Sequence, residues 1–237
     1  MPGSLLSPID PQEAIRFLSK ADRRLARLIE KAPAFELNMN AAVTPYESLQ
    51  RAIVYQSISG KAAATIFSRI RALSAKGGCP APEEILQMRS QTLRRAGLSA
   101  AKAAALKDLA SKTVAGVVPT LEEARKLSDQ ELVARLISIR GVGAWTVEMF
   151  LIFRLGRPDV LPIHDYGVQK GFAITYRRQS MPKPSELAAF GDRWRPFRTV
   201  ASWYMWRAVE LAGKSARTVA KKKPRTATKK VARKKSG

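Results

Sequence analysis

Apolar residues recur at intervals of three and four along most of the chain, the period of an amphipathic helix rather than a strand. Over residues 11–32, Ile15, Leu18, Leu25, Leu28 and Ile29 keep that spacing, with Asp10 as N-cap, Pro11 in the first turn and Pro33 as terminator. Thr44-Pro45 opens a second predicted helix carrying Tyr46, Leu49, Ile53 and Val54, and residues 57–60 break it. Residues 61–75 are helical again, up to a loop marked by Gly77, Gly78, Pro80 and Pro82. Residues 83–88, 90–96 and 100–112 form further helical pieces, with Gly97 as a C-cap and Ser99 as the next N-cap. Ser128 and Glu131 make a capping box ahead of Leu132, Val133 and Leu136. No alternating run reaches strand length, since residues 114–118 are few and end at Pro119. There is no internal repeat. The pattern predicts an all-α fold of many short helices.

Composition narrows the class. A chain of 237 residues with 46% hydrophobic content can bury one large core or two small ones. Lys and Arg number 42 against 19 Asp and Glu, a net charge of +23, which points to a polyanionic partner, nucleic acid before a membrane surface. Residues 213–237 hold 11 of the basic residues and no acid, so a disordered tail is expected, either an electrostatic arm for nucleic acid or a solubilising terminus. The remaining chain keeps 31 basic against 19 acidic residues, still +12. With Cys79 and His164 the lone members of their kinds, a disulfide framework, a four-cysteine cluster and the usual zinc sites are excluded. The N-terminus lacks the basic-then-apolar pattern of a signal peptide, and no run of about 18 apolar residues occurs. A reduced, intracellular, soluble protein is the expectation.

The most informative stretch is Leu136-Ile-Ser-Ile-Arg-Gly141-Val142-Gly143-Ala144-Trp145-Thr146. One helix ends near Ile139, a Gly-x-Gly turn follows, and a second helix starts near Ala144. The two glycines permit positive φ and close backbone approach. The unpaired N–H groups at the start of the second helix can bind a phosphate. Gly141, Val142, Gly143, Ala144 and Thr146 are thus candidate DNA contacts in a helix–hairpin–helix, which grips a DNA backbone without reading its sequence. Taken alone, the same pattern also fits an ordinary αα-turn with a glycine bend.

In its wider context this stretch resembles the helix–hairpin–helix and Gly/Pro…Asp signature of the DNA glycosylase superfamily. Gly156 and Pro158 follow the hairpin, then Leu161-Pro162-Ile163-His164-Asp165-Tyr166. The segment from Pro45 to Ser59 resembles the family's DNA-probing helix and loop. Leu93 to Ser99 with Lys102 resembles the break before the hairpin, and Arg193 to Trp206 the C-terminal helix of the alkylated-base branch. Coverage extends from about Tyr46 to Trp206, and the 3-methyladenine DNA glycosylase II type is the most similar branch.

The resemblance implies two helical lobes, residues 46–155 and residues 1–45 plus 156–216, with the active site in the cleft between them. No N-terminal β-domain is expected, and residues 217–237 form the tail. It implies Asp165 as the catalytic carboxylate, a group that would also serve as a helix N-cap. It implies Trp145, Trp206 and, more weakly, Tyr55 as base-pocket aromatics. Met149 stands where some relatives have another pocket aromatic. Bifunctional members carry a Schiff-base lysine at the position of Trp145, so no lyase activity is expected, and Lys170 is the first alternative amine. Gln56, Ser57 and Ile58 match the residues that fill the gap left by a flipped base. The carbonyls of Ile137, Ile139 and Val142 match those that bind a structural Na or K ion, and no cofactor is expected for catalysis. His164 is read as a DNA contact or a structural hydrogen bond, and Cys79 as incidental.

The implied function is a monofunctional DNA glycosylase that removes cationic N-methylated purines, such as 3-methyladenine and 7-methylguanine, from duplex DNA. Two alternatives stay open: a non-catalytic helix–hairpin–helix DNA-binding module, and a glycosylase for uncharged lesions such as hypoxanthine or uracil. Duplex DNA is the expected partner of a monomer, with no membrane and no obligate protein partner. The expected location is the cytoplasm, beside the nucleoid, of a bacterium or the nucleus of a eukaryote.

Overall fold

The computed structural model describes residues 9–37 and 43–222, with side chains described as far as residue 214. Among the described residues the regular structure is entirely helical. The N-terminal pair is α1 (Pro11–Ala21) and α2 (Arg23–Ile29). Next come α3 (Pro45–Tyr55), α4 (Gly60–Arg71), α5 (Pro82–Gln87), α6 (Ser90–Arg95) and α7 (Ala100–Val114). Then follow α8 (Leu121–Lys126), α9 (Asp129–Leu136), α10 (Ala144–Phe153), α11 (Tyr166–Thr175), α12 (Pro184–Gly191) and α13 (Arg198–Lys222). None is long and apolar enough to cross a membrane.

Local signals account for most boundaries. Asp10 caps α1, and Thr44 with Glu47 and Ser128 with Glu131 close reciprocal capping boxes on α3 and α9. The single helix expected over residues 11–32 is two helices. Asp22 leaves the helical region (φ −149°, ψ 103°), and its Oδ1 accepts the N–H groups of Arg24 and Leu25, which starts α2. Its Oδ2 accepts the Tyr176 hydroxyl and the Trp194 indole N–H. Those donors come from more than 150 residues away, so local periodicity does not announce the break. At the other end, α13 continues to Lys222, past the boundary at residue 216 assigned to the tail. Residues 223–237 of that tail lie outside the described residues.

Two apolar cores form. The first draws on α3 to α10, with Leu49, Ile53, Leu106, Leu132 and Leu151 buried. The second joins the N-terminal helices to α11, α12 and α13 through Leu18, Leu25, Phe172, Trp194 and Tyr204. A Cβ at Gly171 would lie 1.9 Å from the Met205 carbonyl oxygen, so glycine alone lets α11 and α13 approach so closely. Between the cores runs a polar seam. Arg157, 9% exposed, donates through Nη2 to the carbonyls of Ala124 and Leu127 and pairs with Asp129 at 3.1 Å. Asp159 pairs with Arg198 and Arg195, each at 2.7 Å. Thr199 Oγ1 donates to Arg157 O and accepts from Val160 N.

Asp22 therefore caps one helix and satisfies two buried donors from distant segments. Asp22→Ala removes the cap and strands the Tyr176 hydroxyl and the Trp194 N–H. Urea denaturation should show a loss of about 3 kcal/mol, the sum of a lost cap and unsatisfied buried donors.

Candidate active site and nucleic-acid interface

The close contact of α11 and α13 carries Trp206 to the N-terminus of α11, where Asp165 is the cap. Asp165 Oδ1 accepts Val168 N–H and the Trp206 indole N–H, both at 2.8 Å. Asp165 Oδ2 accepts the Trp145 indole N–H at 2.8 Å. Trp145 and Trp206, expected as base-pocket aromatics, thus bind this carboxylate directly, one at each oxygen. Gly167 makes room: a Cβ there would lie 2.7 Å from Trp206 Cδ1. Trp145 is 45% exposed, and Trp206 stacks on Phe153 with ring centroids 5.6 Å apart. The result is a half-buried anion fixed by three N–H donors, with indole faces beside it. Such a group stabilises a positive charge that develops nearby without having to reorganise.

A cavity of about 470 Å³ lies between α3 and α10, bordered by Ser48, Arg51, Ala52, Met149, Phe153 and Arg154. Phe153 links it to Trp206. Met149, the departure from the family aromatic, does face this space. The contacts of Tyr55 lie elsewhere: its ring packs on Phe67 at 6.1 Å and under the Arg51 guanidinium at 4.0 Å. Tyr166, 62% exposed, stands beside Asp165 with the Lys170 ammonium 5.5 Å from its ring centre.

The hairpin joins α9 to α10. α9 ends at Leu136, three residues before the expected Ile139, because Ile139 N–H turns back to Leu136 O and Val142 N–H to Ile139 O. Only Gly141 takes a positive φ, at 77°, and a Cβ there would come within 3.2 Å of Ala105. Gly143 has φ −97° and open space around it, so it offers bare backbone. Gly143 and Ala144 are exposed at the start of α10, which has no side-chain cap. Val142 and Thr146 differ from expectation as surface contacts. They are 4% and 5% exposed, and Thr146 N–H is bonded to Gly143 O. Thr146 turns inward on α10, and Val142 packs into the first core from the turn ahead of it.

Helix α7 holds the turn and the neighbouring loop. Asp108 accepts Arg140 N–H at 2.7 Å, and Lys112 donates to Ser138 O. Lys102 donates to Val54 O and Gln56 O, at 2.8 and 2.6 Å, capping the C-terminus of α3. Gln56 donates to Gly141 O at 2.8 Å, so it is tied to the hairpin. Ser57 turns the chain with φ 56°, and Ile58 follows, 38% exposed. Among the three loop residues expected to probe the duplex, the geometry leaves Ile58 as the apolar tip.

One group went unanticipated. Glu148 lies three residues after Trp145 on α10, and burial together with the Asp165 charge lifts its carboxyl to about 7. A signal was present: Glu148 is the one charge in the ten residues of α10. Among the described residues no cluster of three or more His, Cys, Asp or Glu is arranged to hold a metal ion.

A two-core helical protein with a glycine hairpin of exposed backbone and a carboxylate held by two indole N–H groups has the make-up of the helix–hairpin–helix proteins that work on DNA. The chain is a member of the HhH-GPD superfamily of base excision DNA repair proteins, whose family model matches residues 50–196. It is 40% identical over 196 residues to DNA-3-methyladenine glycosylase 1 of Schizosaccharomyces pombe, spanning 82% of this chain and 86% of that protein. Its fold is similar to the structure of the Schizosaccharomyces pombe 3-methyladenine DNA glycosylase in complex with abasic DNA. There the TM-score is 0.75 at 39% identity, covering 84% of this chain and 98% of that one. It is also similar to a DNA-3-methyladenine glycosidase from Bacillus halodurans, with a TM-score of 0.76 at 31% identity, over 88% of this chain and 94% of that one.

The Gly167 contact gives a direct test of the site's construction. Gly167→Ala should push the Trp206 ring off Asp165, and the indole N–H resonance of Trp206 should lose its hydrogen-bonded shift. Overpacking of this kind costs about 1–3 kcal/mol, so the variant should remain folded.

Proposed function

We propose that the chain is a monofunctional DNA glycosylase that flips N-alkylated purines out of duplex DNA and hydrolyses their glycosidic bond, initiating base-excision repair. The observation that carries this reading is the carboxylate of Asp165 held between two indole N–H groups, with tryptophan rather than lysine at position 145. The exposed N–H groups of Gly143 and Ala144 bind a backbone phosphate. Ile58 enters the duplex where the flipped base has left. A cationic purine such as 3-methyladenine stacks against the indole faces of Trp145 and Trp206.

Breaking the C1′–N bond builds positive charge on the sugar, and Asp165 stabilises it. Because the base already carries its charge, it leaves as a neutral molecule without protonation, and the chemistry needs no group beyond the chain and water. The carbonyls of Ile137, Ile139 and Val142 would hold a structural sodium or potassium ion. Ile139 O accepts Val142 N–H at 3.0 Å and keeps its second lone pair for such an ion. The ion would add positive charge near a phosphate.

The test is release of free 3-methyladenine from methylated duplex DNA. Asp165→Asn should fold normally and lower single-turnover release by at least about 10²-fold, the scale of losing one preorganised charge-stabilising group. Retention of most activity in a folded variant would remove Asp165 from the mechanism. Release of hypoxanthine or uracil in preference to 3-methyladenine would favour the uncharged-lesion alternative. Full DNA binding without any base release would favour the non-catalytic module.

Borohydride added during turnover should trap no covalent protein–DNA adduct, because the site presents no amine at position 145. A stoichiometric adduct, read by gel shift under denaturing conditions, would point to another amine, with Lys170 the first to replace.

A further inference from the structure

Ile58, the apolar tip of its loop, follows a turn in which Ser57 takes φ 56°. A residue with a Cβ stays in that left-handed region only where its surroundings hold it. The hold comes from α7. The Lys102 ammonium donates to Val54 O at 2.8 Å and to Gln56 O at 2.6 Å, so one charge pins the last turn of α3 and the residue just ahead of Ser57. A cation also suits the negative end of a helix dipole. Gln56 leaves the helical region (φ −59°, ψ 136°) and donates through Nε2 to Gly141 O at 2.8 Å. Its side chain is thereby engaged by the hairpin, which leaves entry into the duplex to Ile58. The hairpin has a hold of its own. Asp108 accepts Arg140 N–H at 2.7 Å, and Lys112 donates to Ser138 O. Lys102 and Asp108 are six residues apart on α7, about 9 Å along its axis. One helix therefore grips the loop and the turn at separate points.

A side chain inserted into a duplex stabilises the unstacked state only by what remains after its loop has been ordered. A loop that the fold already holds in shape keeps that remainder large. We propose that Lys102 is a positioning residue for base flipping: it fixes the loop after α3 so that Ile58 is presented to the duplex in its inserted shape, separately from the hairpin's grip on the backbone. The proposal rests on the glycosylase reading, with Ile58 as the residue that enters the duplex. Lys102 acts only through this loop. Its Nζ bonds carbonyls of this chain, and no step of bond cleavage passes through it. Its removal therefore weakens recognition of a flipped or missing base, where the tip is inserted. Affinity for undamaged DNA comes from the hairpin and the basic surface and does not depend on the tip.

The experiment measures the Kd of the full chain for a duplex with one abasic site and for undamaged duplex of the same sequence, in the same salt. Lys102→Met keeps the aliphatic stem and removes the N–H donors. It should weaken abasic binding by about 10-fold, the scale of ordering one loop residue afresh, and leave undamaged binding unchanged. Lys102→Arg restores donors and should recover part of the loss. Ile58→Ala should bring a loss of the same kind. Adding Lys102→Met to it should weaken binding little further, because the two residues act through one tip. Single-turnover release of 3-methyladenine from methylated duplex should fall in the same proportion as abasic affinity. Equal weakening on both duplexes would make Lys102 a general stabiliser of the fold and overturn the proposal. So would an unchanged abasic affinity, undiminished release, no loss in Ile58→Ala, or losses in the two variants that add in full. If Lys102→Met fails to fold, Lys102→Gln, which keeps a neutral N–H donor, takes its place in the same cycle. Absence of base release by wild type would be a different failure, that of the glycosylase reading itself, and the Lys102 proposal would fall with it.

Discussion

The hydrogen bonds that Trp145 and Trp206 donate to the two oxygens of Asp165 join segments 20 and 41 residues apart in the chain. Trp145 sits on α10, which is rooted in the first core. Trp206 sits on α13, which is rooted in the second, and it packs against both. The site therefore exists only when both cores are formed and correctly set against one another. Gly171 and Gly167 serve this single geometry, the first by letting α13 approach α11 and the second by leaving space for the indole. The polar seam of Arg157, Asp159 and Arg198 fixes the same relation from behind. Partly buried and multiply bonded, these charges owe more to geometry than to isolated ion-pair strength.

A second dependency runs through α7. Lys102, Asp108 and Lys112 each bond backbone groups of another segment: the end of α3, the hairpin turn, and the carbonyl of Ser138. Gln56 then ties the loop to the hairpin. The two elements assigned to DNA are thus held by one helix and by each other. This arrangement holds the loop after α3 and the hairpin in one fixed relation. Such elements lose affinity if they must be ordered on binding.

Electrostatics work at two scales. The net charge of +23 attracts a polyanion from a distance and carries no lesion information. Locally the sign is reversed, because Asp165 and Glu148 lie close enough for the charge of one to raise the proton affinity of the other.

The helical class, the capping boxes at Thr44 and Ser128, the hairpin glycines and Asp165 as a cap were all legible in the chain, because each depends on residues within a few positions of one another. Tertiary structure decided the rest. Asp22 breaks the first helix because its partners are Tyr176 and Trp194. Thr146 and Val142 turn inward because α10 packs on the first core. Gln56 is tied to the hairpin, and Tyr55 lies against Phe67, by contacts no spacing rule contains. Glu148 was visible as a lone charge in an apolar helix. Its raised proton affinity, however, arises from burial and from Asp165, a neighbour in space that lies 17 positions further along the chain. Local signals specify where helices start and stop. Which side chains share a low-dielectric space is set only when those helices pack.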